Sequence, residues 1–233
     1  MVFAANRGRL EHPVTAVHPG PSAPSLFISF EGIDGSGKST QARLLGSALR
    51  QSGHAVREVR EPGGTPLGED VRTLLLDPTR TVNPRAELLL FAAARAQLVE
   101  TVIRPALDRG DIVIADRFSD STVAYQGGGR SVQTAEWIEA FSRFVTADVI
   151  PHRTYFIDVP VLEALSRRSS TGRDRMEQSG LAFYERVRAT YMMLSQGYPE
   201  RIVRLDGTQP IDALQLQVLD DVHRARPSLT LGS

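Results

Sequence analysis

Apolar residues follow two rhythms that alternate along this chain. Short runs rich in branched and aromatic residues recur: Leu26–Phe30, Val56–Arg60, Ile112–Ala115, Thr154–Val159 and Arg201–Leu205. Their length and composition predict strands. Between them lie longer segments with apolar residues three and four apart. In Ser39–Gln51, Ala42, Leu45 and Leu49 fall at i, i+3 and i+7, the stripe of a helix with one buried face. The same spacing predicts helices at Leu67–Leu76, Ala86–Asp108, Thr134–Phe144, Val161–Arg168, Leu181–Gln196 and Ile211–Arg224. Strand and helix in alternation imply parallel strands joined by right-handed crossovers, hence a three-layer α/β domain. The expected core is a five-stranded parallel sheet flanked by helices. Ligands of such sheets sit beyond the carboxyl ends of the strands.

Composition narrows the picture. At 233 residues a single domain is expected, with its core at residues 25–226. Residues 1–24 carry Pro13, Pro19, Pro21 and Pro24 without a periodic apolar face. They read as a disordered extension or as the product of an upstream start codon, and they lack the hydrophobic centre of a secretory signal. Residues 227–233 read as a C-terminal tail. Lysine plus arginine and aspartate plus glutamate both number 27, so net charge is zero. That argues against bulk electrostatic binding of a nucleic-acid polymer. No apolar run reaches the length of a membrane span. There is no cysteine, which excludes disulfides, thiolate catalysis and cysteine metal sites and suits the cytoplasm. The five histidines show no ligand spacing, and Trp137, Phe141 and Phe144 share a helical stripe expected to be core.

The sharpest chemical signal is Gly32-Ile33-Asp34-Gly35-Ser36-Gly37-Lys38-Ser39, between the first strand and the first helix. This G-x-x-x-x-G-K-S pattern in that context is a phosphate loop. Its glycines allow backbone angles that other residues resist, so loop N–H groups can face an anion at a helix start. Residues Gly32 to Thr40 are therefore expected to bind a nucleoside triphosphate. Lys38 can reach the β- and γ-phosphates and Ser39 can ligate magnesium. The fold class becomes a P-loop NTPase.

Further constellations follow later strand ends. Arg60-Glu61-Pro62-Gly63-Gly64-Thr65 forms a rigid turn expected to hold Glu61 near the phosphate site, or an ordinary solvated turn. Asp116, after Ile112–Ala115, is placed to orient magnesium or its waters, and Arg117 offers a planar fork to phosphate oxygens. A mutual surface pair between them is the plainer alternative. Phe91 and Arg95, four apart, can stack a base and bond its edge, although Phe91 fits a core position equally well. Thr122 and Gln126 are four apart, and Gly127–Gly129 is a hinge or a helix stop. The segment around residues 166–178, dense in arginine, reads as a lid or as a solvated loop. Asp206-Gly207-Thr208-Gln209-Pro210 is the remaining candidate for the adenine side.

Taken together these motifs resemble the thymidylate kinases of the bacterial type. The resemblance rests on Phe-Glu-Gly-x-Asp-Gly-x-Gly-Lys-Ser at 30–39 (Ser36 at its second variable place), Arg-Glu-Pro-Gly-Gly-Thr at 60–65, Leu-Phe-Ala-Ala-x-Arg at 90–95, Asp-Arg-Phe at 116–118 and Ala-Tyr-Gln-Gly-Gly-Gly-Arg at 124–130. It spans about residues 25–224. It implies transfer of the γ-phosphate of ATP to thymidine 5′-monophosphate (dTMP), with magnesium, as a homodimer. By the same resemblance Asp34 lies near the acceptor's sugar and phosphate, and Glu61 is the acid of the turn. Arg72 grips the acceptor phosphate. Phe91 stacks on thymine and Arg95 faces its O4. Arg117 bridges acceptor and γ-phosphate, Thr122 and Gln126 read the base edge, and Tyr125 lies against the deoxyribose. The catalytic set is Lys38, Arg117, Asp34 and a lid arginine. Here the lid departs from the family pattern: Thr171 precedes Gly172, so Arg167, Arg168 and Arg173 all qualify, with Arg173 ranked first. A kinase for another nucleoside monophosphate is the nearest rival. A GTPase would carry an Asn/Thr-Lys-x-Asp motif, which is absent.

Overall fold

The structure, a computed structural model, describes residues 25–168, 175, 176 and 179–229. Five strands form one parallel sheet: β1 Leu26–Glu31, β2 Val56–Arg60, β3 Ile112–Asp116, β4 Arg153–Asp158 and β5 Ile202–Asp206, in the order β2-β3-β1-β4-β5. Every strand that the apolar runs predict is present, with ends shifted by a residue. β1 lies at the centre and all six of its residues are buried. Helices cover both faces, so the strand reads as a continuous apolar run rather than an alternating one.

The pleat nevertheless sorts its side chains. Leu26, Ile28 and Phe30 join the larger core with Ala42, Leu45 and Leu49. Phe27 turns to the other layer, with Val113, Ala115, Phe118 and Ile103. At the edge, β2 buries only Val59 and exposes Arg57, Glu58 and Arg60, charges that discourage pairing with another chain.

The helices are α1 Lys38–Gln51, α2 Pro66–Leu76, α3 Pro84–Leu98, α4 Arg104–Asp108, α5 Ser119–Thr122, α6 Ala135–Thr146, α7 Val161–Ser166, α8 Leu181–Gly197 and α9 Ile211–Ala225. Helices α2 and α3 start on strong signals: Thr65 and Asn83 cap them with side-chain oxygens, each followed by proline. The single helix expected over Ala86–Asp108 is interrupted by a wider π turn at Val99–Ile103. A second π segment, Val123–Gly129, prolongs α5. It is helical where the sequence showed only a polar stretch, because its glycines hide the periodicity. No helix among the described residues is long and apolar enough to cross a membrane.

One expectation is corrected. Trp137, Phe141 and Phe144 are not a core stripe. Helix α6 buries Ile138, Ser142 and Thr146 instead. Trp137 is 46% exposed and Phe144 82% exposed, while Trp137 and Phe141 stack on each other at 5.1 Å. Helical period defines a face but not what covers it.

Candidate active site

Strands β1, β2 and β3 end at one rim, and a cleft of about 200 Å³ opens there. One wall carries Glu61, Arg72, Phe91, Arg95, Thr122, Tyr125 and Gln126. Asp34, Lys38, Ser39, Asp116 and Arg117 line the side of the phosphate loop. Arg173 lies outside the described residues.

The loop turns through left-handed glycines. Gly35 has φ +87°, and a Cβ there would collide with the Ala164 carbonyl. Gly37, at φ +96°, leads straight into α1. Lys38 is buried, 3.4 Å from Asp34 Oδ1. Burial and the nearby Arg117 push the Lys38 pKa down, against the pull of Asp34.

Arg117 itself has φ +73°, a conformation costly for a non-glycine residue and held only by its surroundings. Its backbone N–H donates to Phe30 O at 3.0 Å. Its Nη1 donates to Gly32 O at 2.8 Å, and its Nη2 to Asp34 Oδ1 at 2.6 Å and Tyr125 OH at 2.9 Å. The arginine therefore pairs with the phosphate loop and not with its neighbour Asp116. Burial alone would raise the Asp34 carboxyl, but Arg117 and Lys38 outweigh it and hold it well below the usual carboxylate range.

Asp116 Oδ1 is buried with no hydrogen-bond partner among the described residues. It opens on the same cleft as the Ser39 hydroxyl. An orphan acid oxygen beside a phosphate loop fits a magnesium ion, which takes one or two protein oxygens and draws its other ligands from phosphates and water. Among the described residues no cluster of three acids or histidines forms a cage of protein ligands alone.

On the opposite wall, Glu61 does not point freely at the phosphate loop. Arg95 Nε donates to Glu61 Oε2 at 2.7 Å, and its Nη2 donates to Phe118 O at 3.0 Å. Arg95 Nη1 donates to Thr122 Oγ1. Burial raises the Glu61 pKa, with Arg95 opposing it. Arg72 Nη1 donates to Pro62 O at 3.1 Å, tying α2 to the turn. Phe91 is neither wholly core nor wholly exposed. It packs against Val71, Leu75 and Ala94 and presents its remaining surface to the cleft.

Arg167 Nη1 donates to Gly207 O at 3.0 Å. Arg168 lies over the Tyr184 ring at 5.4 Å and against Gly35. Beyond the loop a second cleft of about 360 Å³ is lined by Gly37, Thr40, Arg167, Gly207, Gln209 and Pro210. The candidate adenine-side segment 206–210 thus borders the phosphate loop.

Sequence reasoning singled out neither Glu31 nor Glu87. Glu31 Oε1 accepts from Phe118 N at 2.7 Å, and Oε2 accepts from Tyr191 OH at 2.8 Å and from Ser121 Oγ. Burial and then Asp120 push its pKa up to about 7. Its signals were an acid closing an otherwise buried strand and its place beside Gly32 in the motif at 30–39. Glu87 is fully buried on α3 and left no mark beyond an acid among apolar neighbours.

A family model described as thymidylate kinase matches residues 30–218. The thymidylate kinase of Chlorobium chlorochromatii is 47% identical over 209 residues, covering 84% of this chain and 94% of the relative. That of Deinococcus radiodurans is 44% identical over 194 residues, covering 83% and 94%. The crystal structure of thymidylate kinase from Ehrlichia chaffeensis superimposes with a TM-score of 0.69 at 36% identity, covering 88% of this chain and 99% of that one.

Proposed function

The chain belongs to the thymidylate kinase family, whose members use ATP to phosphorylate dTMP, and on that premise we propose how its own residues divide the work. The observation that carries the reading is the shared cleft: a phosphate loop and a Phe91–Arg95 pocket open into one space, with Arg117 between them.

Residues Gly32 to Thr40 bind the triphosphate, and Lys38 holds its terminal phosphates. Ser39 and Asp116 hold magnesium, which when bound neutralises charge on the donor. Arg72 and Arg117 grip the acceptor phosphate. An acceptor oxygen attacks the γ-phosphorus in line, and the bond to the β,γ-bridging oxygen breaks. The acceptor is already an anion, so no strong base is required. The work is to bring two anions together and neutralise the charge between them. Asp34, kept ionised by Arg117 and Lys38, fixes Arg117 and contacts the acceptor. Arg173 of the lid spans the transferring group, while Arg168, packed on Gly35 and Tyr184, anchors the lid's first residues. Phe91 stacks on thymine, Tyr125 lies against the deoxyribose, and Arg95, Thr122 and Gln126 read the base edge. Glu61 keeps Arg95 in place. Residues 206–210 and Arg167 border the adenine. The proposed location is the cytoplasm, which suits a cysteine-free chain.

The working unit is a homodimer. Trp137 and Phe144 on α6 and Leu89 on α3 are large exposed apolar side chains, which supports an interface there.

The test is ADP release from ATP with a panel of monophosphates. Preference for dTMP is expected. Preference for adenylate, guanylate or uridylate overturns the assignment of the base pocket.

A further inference from the structure

Glu87 stands one helical turn before Phe91, fully buried behind the base-pocket wall. Four donors converge on it. Oε1 accepts from Gln126 Nε2 at 3.0 Å and Arg130 Nε at 3.3 Å. Oε2 accepts from Arg175 Nη2 at 2.7 Å and Arg130 Nη2 at 3.4 Å. The partners are themselves anchored. Arg175 also donates Nε to Leu75 O at 2.8 Å, and the Arg130 guanidinium lies 4.6 Å from the Phe183 ring centroid.

The chemistry of an amide makes this arrangement consequential. Its two ends are nearly equal in size, so only their partners decide which way it points. A carboxylate facing two guanidiniums offers acceptors alone. The NH₂ end of Gln126 must therefore face Glu87, and the carbonyl end is left for the cleft that Gln126 lines. A fixed carbonyl accepts from a ring N–H, which thymine carries at N3. It repels the bare N3 of cytosine.

We propose that Glu87 is a positioning residue for base specificity: it locks the Gln126 amide so that the pocket selects a base edge bearing an N–H donor. The proposal rests on the reading of Gln126 as a contact to the base edge. Glu87 touches no substrate; it acts by denying the amide its flipped state. Arg130 and Arg175 hold the carboxylate in place, and Arg175 brings the far end of the arginine-rich segment to the same point.

The experiment measures kcat/KM for dTMP and for 2′-deoxycytidine 5′-monophosphate (dCMP) in four chains: wild type, Gln126→Leu, Glu87→Gln, and Glu87→Gln combined with Gln126→Glu. Removing the lock should shrink the dTMP/dCMP ratio about tenfold or more, as expected for one base-edge contact, chiefly through KM. The combined exchange again places an acceptor toward the base and should restore the ratio. An unchanged ratio in folded Glu87→Gln overturns the proposal. An unchanged ratio in Gln126→Leu overturns the underlying reading of Gln126 instead. If Glu87→Gln does not fold, the wild-type chain decides through the exchange of the Gln126 side-chain amide: slow exchange supports the lock and fast exchange refutes it. In the wild-type chain the Gln126 side-chain amide protons should exchange slowly with solvent before dTMP is added; fast exchange refutes the lock independently of any variant.

Discussion

Arg95 and Glu61 form an ion pair in which the two side chains are only 3% and 4% exposed, joining α3 to the turn after β2. Such a pair contributes little net stability while intact, but it is costly to break on one side. Glu61→Ala would strand a guanidinium in the protein interior, at a cost of about 3–5 kcal/mol. A melting temperature lower by about 10 °C is expected from calorimetry, together with a raised KM for dTMP. A thermal shift within error would mean that water or Thr122 suffices to hold Arg95.

Lys38→Ala and Arg117→Ala should abolish turnover, with kcat reduced about 10³-fold or more, comparable to loss of a charge-neutralising arginine. The fold should survive, because both groups face the cleft rather than the apolar core. Steady-state ADP release and circular dichroism check the two halves. Near-normal activity of either folded variant contradicts the mechanism.

The lid arginines can be separated. Arg173→Ala should lower kcat by about 10³ with little change in either KM. Arg168→Ala, which removes a stack on Tyr184, should have the smaller effect. The reverse order would move the transition-state role to Arg168.

Glu31 makes stability depend on pH. Its pKa is raised by burial and by Asp120, from the ordinary 4.5 of a glutamate to about 7. The folded chain therefore holds a proton that the unfolded chain releases, so this contribution is complete below about pH 4.5 and is lost as pH rises through about 7. The shift corresponds to about 3 kcal/mol. Glu31→Gln mimics the protonated form. The hydroxyls of Ser121 and Tyr191 can turn to accept from its amide. Its melting temperature should fall less than that of the wild type between pH 5 and 8. Parallel curves for the two proteins would show that Glu31 does not titrate in that window.

The exposed ring surface of α6 predicts the oligomer. Sedimentation should give twice the 25.5 kDa chain mass, and Phe144→Asp with Trp137→Asp should give single chains. A monomeric wild type would leave Trp137 and Phe144 facing water.

Much was legible in the sequence. Alternating periods located all five strands and implied parallel pairing, because backbone geometry ties side-chain period to element type. The phosphate loop was equally plain, since its residues are contiguous and its glycines are required by local backbone angles. The motifs after β1, β2 and β3 could be placed at one rim from topology alone. Tertiary structure decided what depends on residues far apart in the chain. Arg117 pairs with Asp34 rather than with adjacent Asp116. Glu61 turns to Arg95, and Glu87 gathers Gln126, Arg130 and Arg175. Trp137 and Phe144 of the α6 ring stripe face outward, with only Phe141 packed against the core, although the period is that of a core helix. A sequence pattern states which residues share a face. Which charge meets which, and whether a face meets core or solvent, is settled only when the elements pack.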